Sequence, residues 1–276
     1  MNPHRTYSTS LLAIARSIWQ NRSLTVQMIK RDIISSYKGS FMGLFWSFIN
    51  PILMLAVYTF VFTVVFKARW GVGGDESMTD FAVVLFVGLI IHSIFAEILN
   101  RAPGLILGNV NYVKKVIFPL EILPIIALGG ALFRGLVSLV VLLTVFVLLN
   151  GFIHWTAIFV PLVILPFVLV MLGFAWLLAS IGVYLRDIEQ ATGFFATMML
   201  FLAPVFYPVS ILPEKYQILI LANPLTFIIE QARQVMLFGK LPNLQGLAVY
   251  SVVSLGVAWF GYWWFQKTRK GVADVV

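Results

Sequence analysis

Six apolar stretches, each long enough to cross a lipid bilayer as a helix, constrain this sequence more than any other feature. They cover residues 43–66, 81–99, 122–149, 156–183, 191–212 and 247–265. A helix needs about 20 predominantly apolar residues to span the hydrocarbon core. Only 11% of the residues are charged, well below the roughly 25% of a soluble domain. The pattern predicts an all-α integral membrane protein with six transmembrane helices.

The chain before residue 43 differs from the transmembrane domain of residues 43–276, because residues 8–37 are helical in pattern but too polar to span. We therefore treat residues 1–42 as a separate unit, an amphipathic helical segment at the membrane interface. The alternative is a helix packed on the rest of the protein. In either case, the spacing assigns the apolar face of residues 26–37 to Val26, Ile29, Ile33 and Tyr37. Leu24 and Met28 then fall on the polar side.

Basic residues are distributed unevenly between the two sides of this topology. With the N-terminus in the cytoplasm, thirteen Lys and Arg residues lie inside and five lie outside, as the positive-inside rule requires. We expect a multi-pass protein of the bacterial cytoplasmic (inner) membrane with both termini in the cytoplasm. The net charge of +8 is explained by this topology, so we expect no nucleic-acid partner.

Residues 191–240 do not fit the pattern of a single transmembrane helix. After Pro208 and Pro213 a second apolar run, residues 216–229, is split by Asn223 and Pro224. That run is shorter than the roughly 20 residues of a crossing. Broken backbone at membrane depth persists only where protein or a water-filled cavity satisfies it. We expect a re-entrant helical hairpin on the outer side, between the fifth and sixth spans.

Prolines and one arginine interrupt the apolar stretches. Pro51, Pro161, Pro166 and Pro204 predict kinks rather than breaks, because membrane helices tolerate proline. Arg134 lies inside the third stretch, where an unpaired charge costs several kcal/mol. It either contacts an anionic substrate group, or belongs to a shorter span of about residues 132–149 and snorkels inward with Glu97 as partner. We favour the second interpretation.

Aromatic residues occur at the ends of the first and fifth spans. The candidates to line a pathway are Tyr58, Phe62, Phe66, Phe201, Phe206 and Tyr207. Aromatic faces offer apolar contact to a sugar without a fixed hydrogen-bond pattern that would trap a polymer. For any single one of these residues, ordinary packing against another helix is the alternative.

Motifs for catalysis and metal binding are missing from the sequence. No phosphate-binding loop occurs, since Gly239 and Lys240 are followed by leucine. The three histidines are scattered, and we expect His92 to face a neighbouring helix. The carboxylates form no acid–base pair. We expect no catalytic residue, no metal site and no bound cofactor in this chain.

Five short motifs occur in order along nearly the whole sequence. They are Arg31-Asp32-Ile33 followed by Tyr37 to Pro51, Val113 to Val116 followed by Phe118 to Pro124, Arg186-Asp187-Ile188, Pro204 to Pro208, and Asn223-Pro224-Leu225 followed by Arg233. Together they resemble the membrane (permease) subunits of ABC exporters that move lipid-linked polysaccharides, namely O-antigen, capsule and teichoic acid.

The resemblance implies a homodimer that encloses a channel, with two copies of a separate ATPase subunit that bind ATP and Mg²⁺. It makes the hairpin an outer gate formed by Tyr216, Asn223, Pro224 and Arg233. It assigns coupling to the ATPase to Arg31, Asp32, Tyr112, Lys114, Lys115, Arg186 and Asp187. The implied function is export of lipid-linked polysaccharide, O-antigen first. The alternatives are an ABC permease for teichoic acid, capsule or drugs, and a membrane-bound lipid-linked transferase.

Overall fold

A computed structural model of the chain describes residues 10–67, 78–114 and 118–275, and these segments fold into eleven α-helices. The helices are α1 (Leu11–Gln20), α2 (Arg22–Tyr37), α3 (Trp46–Thr59), α4 (Met78–Arg101), α5 (Val110–Lys114), α6 (Ile122–Asn150), α7 (Val160–Tyr184), α8 (Ile188–Leu202), α9 (Glu214–Leu221), α10 (Pro224–Met236) and α11 (Leu244–Val275). The all-helical fold class is confirmed for the described residues.

Five helical segments of the described chain are long and apolar enough to cross a membrane. They are Gly43–Phe62, Phe81–Arg101, Ile122–Asn150, Trp155–Tyr184 and Leu244–Arg269. They correspond to the first four and the last of the six predicted stretches. The fifth stretch, residues 191–212, is not one helix, because α8 ends at Leu202. Its 15 residues extend over about 22 Å at 1.5 Å per residue, less than the hydrocarbon thickness of about 30 Å.

The prolines act differently from the prediction at two of the four positions. Pro51 and Pro166 lie inside helices, as expected. Pro161 occupies the first turn of α7, where its missing N–H costs nothing. Pro204 follows the end of α8, because Ala203 adopts the extended conformation favoured by a residue that precedes proline. The predicted kinks at Pro161 and Pro204 are therefore wrong.

Helix α2 packs on α6 with a face that differs from the sequence assignment. Leu24 and Met28 contact the hydrophobic core, whereas Val26 is 51% exposed. The inward face also carries Asp32, whose carboxylate binds Arg101 of α4 at 2.7 Å. This ion pair sets the rotation of the helix, so the assignment of Leu24 and Met28 to the polar side is wrong.

Helices α7 and α11 approach each other through glycine. A Cβ atom on Gly261 would overlap with the carbonyl oxygen of Gly173, and one on Gly173 would lie 2.6 Å from the carbonyl oxygen of Val257. Small residues let the backbones of membrane helices come close. Trp176 and Tyr262 pack edge to face across the same interface, with ring centroids 5.1 Å apart. The last span is thereby held on α7.

Candidate functional site

The aromatic side chains predicted at the ends of two spans form one connected cluster. The Phe62 ring centroid lies 6.4 Å from Tyr58, 5.6 Å from Phe66 and 5.7 Å from Phe206. Helix α3 continues here as a π-helix, Phe60–Val65, a rare form that is frequent at functional sites. Phe62 therefore joins the end of the first span to the segment that follows α8.

The cluster continues beyond Phe206. Its ring centroid lies 5.8 Å from that of Phe201, and the Tyr207 hydroxyl donates to the Phe201 carbonyl oxygen at 2.8 Å. Phe81, at the start of the second span, also lies 5.6 Å from Phe62. Sequence reasoning missed Phe81, although it is the first residue of its apolar stretch. Five of these rings border a cavity of about 340 Å³, namely those of Phe62, Phe66, Phe81, Phe206 and Tyr207.

A larger cavity of about 490 Å³ opens between α3, α4 and α6. Its polar lining consists of Tyr37, Ser47, Asn50, His92, Ser93, Arg134 and Ser138. The His92 Nε2 atom lies 2.9 Å from the carbonyl oxygen of Ala196 in α8, so the contact expected between this histidine and a neighbouring helix is present. Tyr58 lines this cavity as well. The cavity combines hydroxyl, amide and imidazole groups with an aromatic face, which suits a polyhydroxylated ligand.

Arg134 lies at this cavity and is paired with the partner named from the sequence. Its Nε atom donates to Glu97 Oε2 at 2.8 Å, and its Nη2 atom binds the other oxygen. Because α6 begins at Ile122, Arg134 lies well inside the helix, and a membrane span limited to about residues 132–149 of this helix stays a prediction.

Two further charges extend this pair into a chain that joins three helices. Arg101 donates to Glu97 at 3.3 Å and to Asp32 at 2.7 Å. The four side chains are 19–34% exposed. A Cβ atom on Gly130 of α6 would lie 2.6 Å from Asp32 Oδ2, so a side chain at this position would displace the Asp32 carboxylate. This series of four side chains contains two cations and two anions and is neutral as a unit.

The split apolar run forms the two helices α9 and α10, with the break at the expected place. Asn223 Oδ1 accepts the Leu225 N–H at 2.9 Å and caps α10. Its Nδ2 donates to the Leu202 carbonyl oxygen at 3.2 Å, which ties the break to the end of α8. Helix α9 is exposed, with Tyr216 48% and Ile218 71% accessible, whereas the inward face of α10 is buried.

Arg233 fastens α10 to the rest of the molecule. Its fully buried guanidinium donates to the carbonyl oxygens of Val84 at 3.0 Å, Pro204 at 2.7 Å and Val205 at 3.1 Å. Glu230 accepts a fourth bond at 2.8 Å. Burial lowers the pKa of Arg233 to about 10, so the side chain stays protonated at neutral pH. Of the four residues assigned to the outer gate, Tyr216 lies on the exposed helix α9. The other three, Asn223, Pro224 and Arg233, belong to α10 and its N-cap, which are anchored to the rest of the molecule.

The residues assigned to ATPase coupling lie in two places. Arg31 donates to the Tyr112 hydroxyl, and the Tyr112 ring stacks on Phe118 with centroids 4.6 Å apart. Lys114 ends α5, and Lys115 lies outside the described residues. The second place is the exposed turn between α7 and α8, which holds Arg186 and Asp187.

Sequence reasoning missed a second polar cluster around Glu121. Its carboxylate accepts from Arg269 at 2.6 Å and from the Ser17 hydroxyl at 3.1 Å. Trp176 Nε1 donates to the Glu121 carbonyl oxygen at 2.9 Å. Helices α1, α6, α7 and α11 meet at this residue. The partners are far apart in sequence, so the only local signal is a lone acidic residue between Pro119 and Pro124.

Comparison with known proteins gives consistent matches over most of the chain. The family model described as ABC-2 type transporter matches residues 23–237. The O-antigen export system permease protein RfbA of Myxococcus xanthus is 27% identical over 96% of this chain and 100% of its own length. A protein of the same name from Klebsiella pneumoniae is 24% identical over 92% and 95%. The polysialic acid transport protein KpsM of Escherichia coli is 25% identical over 88% and 93%.

Proposed function

The chain belongs to the ABC-2 type transporter membrane family, and from this premise we propose that it is the membrane subunit of a polysaccharide exporter. The substrate we propose first is lipid-linked O-antigen. The observation that carries the proposal is the end-to-end similarity to the O-antigen export permeases. The relatives are transport proteins, so the lipid-linked transferase is set aside. A capsule-type acidic polymer is the second candidate, because a polysialic acid transport protein is among the relatives.

We propose that α8 and the residues after it cross the membrane as the fifth span in chain order. This brings the number of crossings to six. Near the start of α8, a Cβ atom on Gly193 would lie 3.6 Å from Oδ1 of Asn100, which is near the C-terminal end of α4. Just past its end, Arg233 bridges the carbonyl oxygens of Val205 and Val84. Helix α8 therefore runs beside α4 over nearly the full length of a span. Its shortness is compensated by the buried segment of residues 203–205.

Both termini lie on one side in this proposal, and the contacts of Glu121 support it. Its carboxylate binds Ser17 of α1 and Arg269 near the end of α11. A common side requires an even number of crossings, which five long spans and α8 together supply. The excess of basic residues makes this side the cytoplasm, with α9 and α10 forming the re-entrant hairpin at the outer side of the inner membrane.

Two copies of the chain would enclose the channel, and two copies of a separate ATPase subunit would drive it. Phe66 and Phe201 of the aromatic cluster are 66% and 61% exposed, so one copy leaves the cluster open on one side. The ATPase, which would bind ATP and Mg²⁺, would dock on the two inner segments at Tyr112 and at Arg186 and Asp187. We propose no catalytic residue, metal or cofactor in this chain itself.

Loss of the chain from its host tests the proposal. If it exports lipid-linked polysaccharide, cells without it accumulate the polymer inside, and the wild-type chain restores surface polymer only together with an active ATPase subunit. Surface polymer is measured by sugar-specific labelling of intact cells, and total polymer after lysis. Normal surface polymer in the deleted strain would refute the proposal. Chemical analysis of the retained polymer separates a neutral O-antigen from an acidic capsule.

Removal of the aromatic rings at the centre of the cluster is expected to slow export. We predict that Phe62→Ala and Phe206→Ala each reduce surface polymer about two- to tenfold, because aromatic contacts contribute about 0.5–1.5 kcal/mol. The matched control is Phe260→Ala on α11, where the ring is 46% exposed and outside the cluster. Quantitative blotting confirms equal amounts of protein. If all three variants export alike, the rings do not contact the polymer.

A further inference from the structure

Two sets of polar contacts, joined through the backbone of α2 at Arg31 and Asp32, connect the inner segment at Tyr112 to the 490 Å³ cavity. Tyr112 binds Arg31, and Asp32 is the next residue on α2. The charged chain described above then continues from Asp32 through Arg101 and Glu97. It ends at Arg134, which lines the cavity. One end of the series therefore lies at a proposed ATPase contact, and the other lies at the cavity, which we take as part of the substrate path.

The charges in this series are shared rather than paired one to one. Glu97 accepts from Arg101 and from Arg134, and Arg101 donates to both Glu97 and Asp32. A change in the position of Arg134 therefore alters how strongly Glu97 holds Arg101. That in turn alters the hold of Arg101 on Asp32. Partly buried ion pairs are sensitive to such changes, because removal of one partner leaves the other charge poorly solvated.

The neutrality of the series decides against an anion site at Arg134. Glu97 occupies the Nε and Nη2 donors of the Arg134 guanidinium, and the two cations of the unit are balanced by two carboxylates. A phosphate group bound by the remaining Arg134 donors would lie beside the Glu97 carboxylate and be repelled by its charge. Sugar hydroxyls can donate to Glu97 or accept from Arg134 and leave both charges balanced.

We propose that Asp32, Arg101, Glu97 and Arg134 act as a relay through which sugar in the cavity is sensed at the ATPase contact of Arg31 and Tyr112. The proposal rests on the proposed function, since it needs an ATPase partner. Arg134 and Glu97 contact the sugar in this proposal, and Asp32 and Arg101 are positioning residues. Sugar hydroxyls at Arg134 and Glu97 redistribute the shared hydrogen bonds, and α2 shifts relative to α5. A ligand can bias an equilibrium only through such differential contacts.

The test uses the full chain reconstituted in liposomes with its ATPase subunit. The probe is lipid-linked polysaccharide extracted from cells in which export is blocked. The measured quantity is the stimulation ratio, which is hydrolysis with the probe divided by hydrolysis without it. The variants are Asp32→Asn and Arg134→Gln at the two ends of the relay, singly and together. Lys267→Gln, which removes an exposed cation of α11, is the control.

Each single variant is expected to lower the stimulation ratio by about fivefold or more, the usual lower size of a coupling between sites. The double variant is expected to be no worse than either single one, because the ends of one series are not independent. If Arg134→Gln does not assemble, Arg134→Lys replaces it, since lysine keeps the charge and loses the bidentate geometry.

Three results would overturn the relay. An unchanged stimulation ratio in either single variant is the first, and losses that multiply in the double variant are the second. The third is a loss of assembled complex at an unchanged ratio, which marks a purely structural role. If the wild-type complex itself shows neither stimulation nor export of the probe, the proposed function fails, and this outcome is distinct from all three.

Discussion

Arg233→Met is expected to leave little folded protein. The side chain is fully buried, and its guanidinium serves three carbonyl oxygens and Glu230. Methionine fills similar space but donates no hydrogen bond, so four acceptors lose their partner at once. Each buried acceptor left without a donor costs about 1–3 kcal/mol, so the three carbonyl oxygens together account for a large part of the roughly 5–15 kcal/mol that stabilises a typical fold. Size-exclusion chromatography in detergent after stepwise heating measures the loss.

Two variants show whether the loss belongs to this site. Arg233→Lys keeps a charge but cannot reach all four acceptors. The temperature at which half of its folded protein is lost should therefore fall between those of the wild type and Arg233→Met. Lys240→Met removes an exposed cation just beyond α10 and should change stability by no more than about 0.5 kcal/mol. An Arg233→Met protein that elutes and melts like the wild type would contradict the prediction.

The features that sequence reasoning predicted are those with a local cause. Apolar length is sufficient to find five of the spans, and the Asn223–Pro224 pair marks the break of the hairpin, because asparagine caps a helix and proline begins one. The sequence also placed Phe62 and Phe206 at the ends of two apolar stretches, although it did not predict that their rings meet. Each of these inferences needs only neighbouring residues.

The features that it missed are fixed by residues far apart in the chain. The rotation of α2 follows from the pairing of Asp32 with Arg101, and no periodicity within α2 reports that contact. No local sequence pattern indicates the ion pair of Glu121 with Arg269 either. The end of α8 at Leu202 is different, since Ala203 before Pro204 carried a local signal that the continuous apolar composition concealed.

Gly261→Leu is expected to separate α11 from α7 and destabilise the whole transmembrane domain. A Cβ atom at this position would overlap with the carbonyl oxygen of Gly173. The obstacle is backbone, so no side-chain rotation can relieve it. Overpacking by added methylenes costs about 1–3 kcal/mol where side chains can shift, and we expect the upper end or more here. Gly261→Ala should be destabilised as well, but less.

The same helix supplies the matched control. Gly256 also lies on α11, and no described atom apart from the backbone of its own helix and its two neighbours in sequence lies within 4 Å of the position its Cβ would take. Gly256→Leu adds the same side chain where there is space and raises helix propensity by about 0.8–1 kcal/mol, so it should be as stable as the wild type or more so. Heating both variants in detergent and recording the soluble folded fraction compares them directly. Because only contact with Gly173 distinguishes the two sites, equal melting of Gly261→Leu and Gly256→Leu would mean that the two helices are not held together at this point.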